Sequence, residues 1–141
     1  MPMEPARPPL EVYLLGAVDF AELQALQRRL IFDHGERDGA TLILCEHPPT
    51  LSVGRSGSRA HIGPDDAELA AIGVRTHWVN RGGGCILHLP GQITGYLVAT
   101  IGPEAGPAMG HVRRIQEMLL GVLEEFELTG EIRHDPSGIF L

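Results

Sequence analysis

The stretch RGGGCILHLPGQ, residues 81–92, carries the most distinctive pattern of the sequence. An arginine precedes three consecutive glycines, an apolar run interrupted by His88 follows, and a Pro-Gly turn leads to Gln92. A dinucleotide-binding fingerprint places such glycines before a helix, whereas a second apolar strand follows here, and a P-loop requires a lysine. Three glycines allow a close backbone approach to a ligand. The alternative is a mobile turn without a functional role.

Cys85 and His88 suggest a nucleophile and its base, but their spacing is unfavourable. Successive side chains of a strand point to opposite faces, so residues three positions apart cannot form a direct dyad. We therefore expect Cys85 to be a small packing residue. His88 is either a hydrogen-bonded core histidine or, because it adjoins the Pro90-Gly91 turn, a residue that faces a ligand.

The composition is that of one globular domain: the 141 residues are 43% hydrophobic and 21% charged. A formal net charge of -7 argues against a nucleic-acid binder, because that binding depends on basic side chains that neutralise phosphates. All 11 basic residues are arginines. Schiff-base chemistry and a lysine general base are therefore excluded within these residues.

The sequence predicts a cytoplasmic protein that contacts no membrane and holds no metal. No segment reaches the roughly 20 apolar residues that cross a bilayer. Residues 1–10 lack the apolar region of a signal peptide and are expected to form a flexible lead. Cys45 and Cys85 are spaced for neither a disulfide framework nor a zinc site.

Hydrophobic periodicity predicts an α+β domain over 11–141, with a mostly antiparallel sheet and helices packed on it. Strands are expected at 11–16, 41–47, 50–53, 74–79, 85–89, 93–101, 131–134 and 138–141. Helices are expected from the Asp19 N-cap to just before Gly35, at 64–72 and at 112–126. The turn before residue 93 predicts a hairpin or a tight bend. The final strand is either an edge or the start of further chain.

Two other positions suggest chemistry. Glu46-His47 is typical of acid–base or metal sites, but none of the seven histidines forms an H-x-H or H-x-x-x-H pair. Arg55 lies in the glycine-flanked loop VGRSGS, where a guanidinium can bind a carboxylate or phosphate bidentately.

Two separated segments together resemble the octanoyl-ACP:protein octanoyltransferases, also called lipoyl(octanoyl) transferases. They are EHPPTLSVGRSG (46–57) and RGGGCILHLPGQITGYLV (81–98), and the likeness extends from about residue 12 to the C-terminus. The matching residues are Glu46, His47, Pro49, Gly54, Arg81, Gly82, Gly83, His88, Pro90, Gly91, Gln92 and Tyr96.

The resemblance implies a biotin/lipoate-ligase-like fold and an acyltransferase of lipoate biosynthesis that needs no cofactor. The implied reaction moves an octanoyl group from acyl carrier protein, through a cysteine thioester, to a lysine of a lipoyl domain. The implied acceptors are the lipoyl domains of 2-oxoacid dehydrogenases or the glycine cleavage H protein. The implied acyl-binding residues are Arg81, Gly82, Gly83, Gly84, Cys85, Ile86, Leu87 and His88, supported by Arg55, Gln92 and Tyr96.

The sequence departs from the family pattern in three respects. Gly84 stands where the family has a glutamine, and Leu89 where it has a glycine. The chain has no lysine, so the family's nucleophilic cysteine and its lysine are expected beyond Leu141, in a C-terminal half or a second subunit. The fold would then be incomplete at the C-terminus and this chain inactive alone. Two alternatives are a non-catalytic module that binds an acyl carrier or lipoyl domain, and an ATP-dependent lipoate or biotin ligase-like domain.

Overall fold

A computed structural model describes residues 9–37, 39–103, 106–135 and 137–141. The chain divides into two compact units, Met1–Thr100 and Ile101–Leu141. Residues 1–8 of the predicted flexible lead lie outside the described residues, whereas Leu10 already begins the first strand. The assignment of 11–141 to one catalytic domain stays a prediction.

The first unit alternates strands with two α-helices. Its elements are β1 (Leu10–Ala17), α1 (Phe20–Glu36), β2 (Ala40–Glu46), β3 (Thr50–Val53), a 3-10 turn (Arg59–His61), α2 (Asp66–Ala71), β4 (Arg75–Trp78), β5 (Cys85–His88) and β6 (Thr94–Ala99). Each predicted strand and helix of this unit is present, and the α+β class is confirmed.

Two three-stranded sheets make up the first unit, with strand orders β1-β2-β6 and β4-β3-β5. In each sheet the central strand pairs with one parallel and one antiparallel neighbour. The hairpin reading of the Pro90-Gly91 turn is therefore wrong, because β5 pairs with β3 while β6 pairs with β2. The turn is the tight bend that carries the chain from one sheet to the other, and Gly91 makes it with a φ of 86°.

Helix α1 begins as predicted but ends later. The Asp19 carboxylate caps its first turn by accepting from the N–H of Ala21 at 2.9 Å. The helix continues through Gly35 to Glu36, contrary to the prediction. Tertiary contacts override the weak helix propensity of glycine here, because the His34 ring bonds Thr41 Oγ1 at 2.8 Å and the His34 carbonyl accepts from the Thr100 hydroxyl at 2.8 Å.

Each sheet of the first unit has a hydrophobic cluster of its own. The first packs α1 against the inner face of the β1-β2-β6 sheet, and its buried residues are Leu23, Leu30, Ile43, Cys45 and Val98. The second packs α2 against the other sheet, and its buried residues are Leu51, Val53, Leu69 and Val74, with Cys85 against them. Cys85 packs against this cluster, as expected for a small packing residue.

The second unit consists of α3 (Ala108–Glu125), β7 (Glu131–His134) and β8 (Ser137–Phe140), with β7 and β8 antiparallel. Gln116 is buried on α3, and its side-chain amide donates to the Ser137 hydroxyl at 3.4 Å. The predicted closing strands and long amphipathic helix are therefore present. None of the helices described in either unit is long and apolar enough to span a membrane.

Replacing Leu23 by alanine should lower the free energy of unfolding by about 2–5 kcal/mol, because its fully buried side chain would leave a cavity in the first cluster. Leu14→Ala is the matched control. That side chain is 75% exposed, and we expect a change within about 0.5 kcal/mol. Urea unfolding followed by circular dichroism measures both, and equal losses in the two variants would contradict this description of the core.

Candidate functional site

The segments 46–57 and 81–98 lie side by side in the structure. Strand β3 from the first segment pairs with β5 from the second, with Thr50 opposite His88 and Val53 opposite Cys85. Side chains of directly opposed residues share one face of a sheet. Ser52 and His88 therefore face one side and Val53 and Cys85 the other.

The glycine loop 81–84 is held by backbone hydrogen bonds to the loop that follows β3. Three N–H groups donate to its carbonyls: Gly54 to Gly84 at 2.9 Å, Arg55 to Arg81 at 2.9 Å and Ser56 to Gly83 at 3.0 Å. Gly83 has a φ of 81°, a conformation that favours glycine. The loop is thus a fixed structure, which argues against a mobile turn.

Arg81 holds the same loop through its side chain. Nη1 donates to the Gly82 carbonyl at 2.9 Å. The two N–H groups of Nη2 are shared among three acceptors, the Gly84 carbonyl at 2.9 Å and the carbonyl and hydroxyl oxygens of Ser52, both at 2.8 Å. Burial lowers the pKa of this guanidinium from its usual value. Even so, an arginine stays charged at neutral pH. Internal acceptors therefore engage most of this cation, and one edge of its side chain lines a groove described below.

His47 is buried, and both of its ring nitrogens have partners. Nδ1 lies 2.7 Å from the Val18 carbonyl oxygen, which can only accept, so Nδ1 carries a proton. Nε2 lies 2.8 Å from the Tyr96 hydroxyl. Burial raises the pKa of Tyr96, which keeps the phenol protonated and able to donate to Nε2. His47 and Tyr96 thus link the loop after β2 to β6.

His88 is buried beside this pair. Its Nε2 lies 3.1 Å from the Ser52 hydroxyl oxygen, whereas its Nδ1 has no hydrogen-bond partner among the described residues. The rings of His47 and Phe20 pack against it, with centroids at 5.4 and 5.5 Å. Burial lowers the pKa of His88, and the nearby His47 and Arg81 lower it further, so the ring is neutral near pH 7.

The turn after β5 is fixed by two side chains. The Glu46 carboxylate accepts from the N–H of Gly91 at 2.6 Å, and the Gln92 amide oxygen accepts from the N–H of Leu89 at 3.3 Å. Gln92, predicted as a supporting residue of the acyl site, is exposed and caps this turn. Glu46 and Gln92 therefore keep the end of β5, and with it His88, in place.

A groove of about 540 Å³ opens between α1 and residues 79–81. Four of its lining side chains are largely apolar: Phe20, Ile31, Val79 and Tyr96. Its polar lining comes from the same segments: Gln24, Gln27, Arg28, Asn80 and Arg81. An elongated apolar group with a polar head fits such a lining.

Of the predicted acyl-site residues, Arg81 and Tyr96 line this groove. Arg55 reaches its edge, because its guanidinium donates to the carbonyl and the side-chain oxygen of Asn80, both at 3.2 Å. The other predicted positions lie elsewhere: Gly82 and Gly83 are exposed and Gly84 is half-buried in the loop, Cys85 packs on the second cluster, and Ile86 and Leu87 are exposed. Their role in acyl binding stays a prediction.

The sequence analysis did not identify Phe20, Val79 or Ser52 as residues of the candidate site. Phe20 and Val79 look like ordinary apolar positions of a helix start and a strand end, and only the tertiary structure brings them to one groove. Ser52 lies in the four-residue strand TLSV, where its alternation with Leu51 and Val53 indicates a face but no partner. The signal that could have located it is the pairing register of β3 with β5.

The two thiols are poorly placed for nucleophilic chemistry. Cys45 is buried in the first cluster, and this burial raises the pKa of its thiol, which disfavours the thiolate. Cys85 contacts the second cluster. Among the described residues, no group of three or more His, Cys, Asp or Glu side chains is arranged to hold a metal ion.

Residues 19–140 match the family model of the lipoyl protein ligase A/B catalytic domain. The chain is 35% identical over 133 residues to an octanoyltransferase of Chloroflexus aggregans, covering 94% of this chain and 60% of that protein. It is 38% identical over 125 residues to an octanoyltransferase of Acidobacterium capsulatum, covering 83% and 51%. The chain thus spans about half to three-fifths of the length of these relatives.

Solved structures with a similar fold include lipoate-protein ligase A bound with ATP, with a TM-score of 0.64 at 16% identity over 86% of this chain and 49% of that one. Another is P. falciparum LipL1 in complex with lipoate, with a TM-score of 0.63 at 11% identity over 89% and 39%. At these identities the likeness establishes the fold, which agrees with the ligase-like fold expected from the sequence.

Tyr96→Phe should lower the free energy of unfolding by about 1–3 kcal/mol, because it leaves the buried Nε2 of His47 with only the weak donor of the Cys45 thiol at 3.7 Å. Tyr13→Phe is the matched control, since that hydroxyl contacts only an exposed carboxylate, Glu11, at 3.3 Å. We expect the control to change stability by less than about 0.5 kcal/mol. Chemical denaturation measures both, and equal effects would show that the His47–Tyr96 contact contributes nothing.

Gly54→Ala should distort the glycine loop and cost about 1–3 kcal/mol, because the added Cβ would lie 2.5 Å from the Gly83 carbonyl oxygen. Gly84→Ala is the control in the same loop system, since its Cβ would have no neighbour within 4 Å. Thermal unfolding gives the stabilities, and amide NMR shifts of residues 81–84 report the loop. A normal loop spectrum in Gly54→Ala would contradict the close packing described above.

Proposed function

Because the chain belongs to the lipoyl protein ligase A/B catalytic-domain family, we propose that it forms the acyl-binding part of an octanoyltransferase in protein lipoylation. The donor is octanoyl-acyl carrier protein, and the acceptor is a lysine of a lipoyl domain, as in 2-oxoacid dehydrogenases or the glycine cleavage H protein. The observation that carries the proposal is the groove between α1 and residues 79–81, which adjoins the arginine-anchored glycine loop.

The groove suits an acyl chain with a polar head. Phe20, Ile31 and Val79 offer apolar walls, and each methylene buried against such walls contributes about 0.8 kcal/mol. Asn80 and Arg28 lie in the same lining and offer polar groups to the carrier end of the substrate. The groove volume of about 540 Å³ lies in the range of about 300–1,000 Å³ that is usual for small-molecule sites.

The proposed transfer proceeds in two exchanges at the acyl carbonyl carbon. A cysteine thiolate attacks the carrier thioester, the new carbon–sulfur bond forms, and the carrier leaves as its thiol after taking up a proton. The lysine amine of the acceptor then attacks, an amide bond forms, the amine loses a proton, and the cysteine sulfur leaves as a thiol. Neither Cys45 nor Cys85 is assigned as this nucleophile, and the chain has no lysine. We assign these groups to polypeptide outside these 141 residues.

Charge would affect encounter with the carrier. Acyl carrier proteins are acidic and this chain has a net charge of -7, so the overall charges oppose association. Arg28 and Arg81 line the groove, and Arg55 is exposed beside it. These three cations supply a local positive surface on which an acidic carrier can dock.

The test is isothermal titration of the protein with octanoyl-acyl carrier protein and with unacylated carrier. We expect the octanoylated form to bind at least about 10-fold more tightly, since tenfold corresponds to about 1.4 kcal/mol, the burial of about two methylenes. Val79→Trp should abolish this preference by filling the groove. The intact mass of the chain should stay unchanged after incubation, because neither of its cysteines is assigned as the nucleophile.

Val12→Trp is the matched control, because Val12 is 51% exposed on β1 and does not line the groove. Circular dichroism first establishes that both tryptophan variants are folded. Equal affinity for acylated and unacylated carrier, or an octanoyl adduct on Cys85, would contradict the proposal. Binding of octanoate that requires ATP and ignores the carrier would favour the ligase alternative instead.

A further inference from the structure

His88 is a buried histidine whose hydrogen bonding is incomplete among the described residues. Only 6% of its surface is exposed, Nε2 contacts the Ser52 hydroxyl, and Nδ1 has no partner among the residues that the structure describes. An unsatisfied buried donor or acceptor costs about 1–3 kcal/mol. Such a group in a candidate site is therefore a place to look for a bound ligand.

The Ser52 hydroxyl can donate one hydrogen bond, and its neighbours determine where that bond goes. The Arg81 guanidinium has only donors, so Ser52 Oγ accepts from Nη2 at 2.8 Å. The hydroxyl proton is then left for Nε2 of His88 at 3.1 Å or for the Ile86 carbonyl at 3.5 Å. The shorter contact is the stronger hydrogen bond, so Nε2 accepts and a neutral ring carries its proton on Nδ1.

We propose that Ser52 is a positioning residue: its hydroxyl, oriented by Arg81, holds the His88 proton on Nδ1, where it can bind the carbonyl oxygen of the acyl substrate. The role of Nδ1 rests on the function proposed above, whereas the position of the proton follows from the hydrogen bonds alone. Arg81 thus acts on the substrate site through Ser52 and His88 as well as through the glycine loop.

The surroundings of His88 keep the ring in the required state. Burial, His47 and Arg81 all lower its pKa, so the ring remains neutral and keeps a single proton. His47 cannot accept that proton through its own nitrogens, because Val18 and Tyr96 occupy both. A neutral N–H donor is suited to a carbonyl oxygen, which gains negative charge when a nucleophile attacks its carbon.

Phe20 separates His88 from the groove. Its ring packs on the His88 ring at 5.5 Å between centroids and also lines the groove. Phe20 is the first residue of α1 and is buried, so the proposed contact with Nδ1 requires its side chain to move. In the proposed complex the methylene chain lies along α1 and the carbonyl end reaches Nδ1 after the Phe20 side chain has moved.

The first test is the tautomer of His88, measured by long-range proton–nitrogen NMR on uniformly labelled protein, with His88→Gln identifying the signals. We expect a protonated Nδ1 and an unprotonated Nε2 in the wild type, and a shift of the proton towards Nε2 in Ser52→Ala. Thr50→Val is the matched control, because its buried hydroxyl lies opposite His88 but donates to the Pro48 carbonyl at 2.8 Å. A proton on Nε2 in the wild type, or an unchanged tautomer in Ser52→Ala, overturns the proposal.

The second test is the infrared stretch of a carbon-13-labelled octanoyl carbonyl on the carrier, bound to each variant. A hydrogen bond from Nδ1 lowers this frequency, so we expect a lower value with the wild type and Thr50→Val than with Ser52→Ala. Equal frequencies in all three complexes overturn the carbonyl role while the acyl-binding function stands. Failure of the wild type to bind the octanoylated carrier overturns that function and the carbonyl role together, and the tautomer is still decided by NMR.

Discussion

The structure of the glycine loop and of the strands beside it depends on the hydrogen bonds of the Arg81 guanidinium. It donates to the carbonyls of Gly82 and Gly84 within its own loop and to Ser52 on the neighbouring strand. Glycines lose more conformational freedom on folding than other residues, so a loop of three needs an external constraint. A planar cation with several N–H groups can satisfy carbonyls in different directions at once, which the single ammonium of a lysine would do less well.

Arg81 contacts β3 and the glycine that precedes β5, and it also lines the groove. Its hydrogen bonds help to hold β3 against β5 in the observed register. In this register Cys85 faces the second cluster, and His88 faces the rings of His47 and Phe20. Because alternate residues of a strand face opposite sides, one register decides both which residue packs and which can meet a ligand. The glycine loop thus serves mainly as backbone scaffolding beside the groove.

Local patterns predicted the elements well and their partners poorly. The Asp19 cap, the strands and the packing role of Cys85 follow from nearby residues, and all are present. The turn was predicted as a hairpin or a tight bend, and the bend is present because strand pairing is decided by residues far apart in the sequence. The end of α1 was misplaced because contacts of His34 with distant residues outweigh glycine's propensity. Phe20 and Val79 could not be assigned to a groove from the sequence, because residues far apart in the chain form it.

The two buried histidines, His47 and His88, differ in how many of their ring nitrogens have hydrogen-bond partners. His47 uses both ring nitrogens, one with a main-chain carbonyl and one with Tyr96, so its hydrogen bonding is complete within the described residues. In His88 only Nε2 has a partner among the described residues, the hydroxyl of Ser52. Arg81 donates to that hydroxyl and orients it. Folding alone would be served better by a second partner for His88. A ring nitrogen without a partner among the described residues is understandable if, as proposed, its acceptor arrives with the substrate.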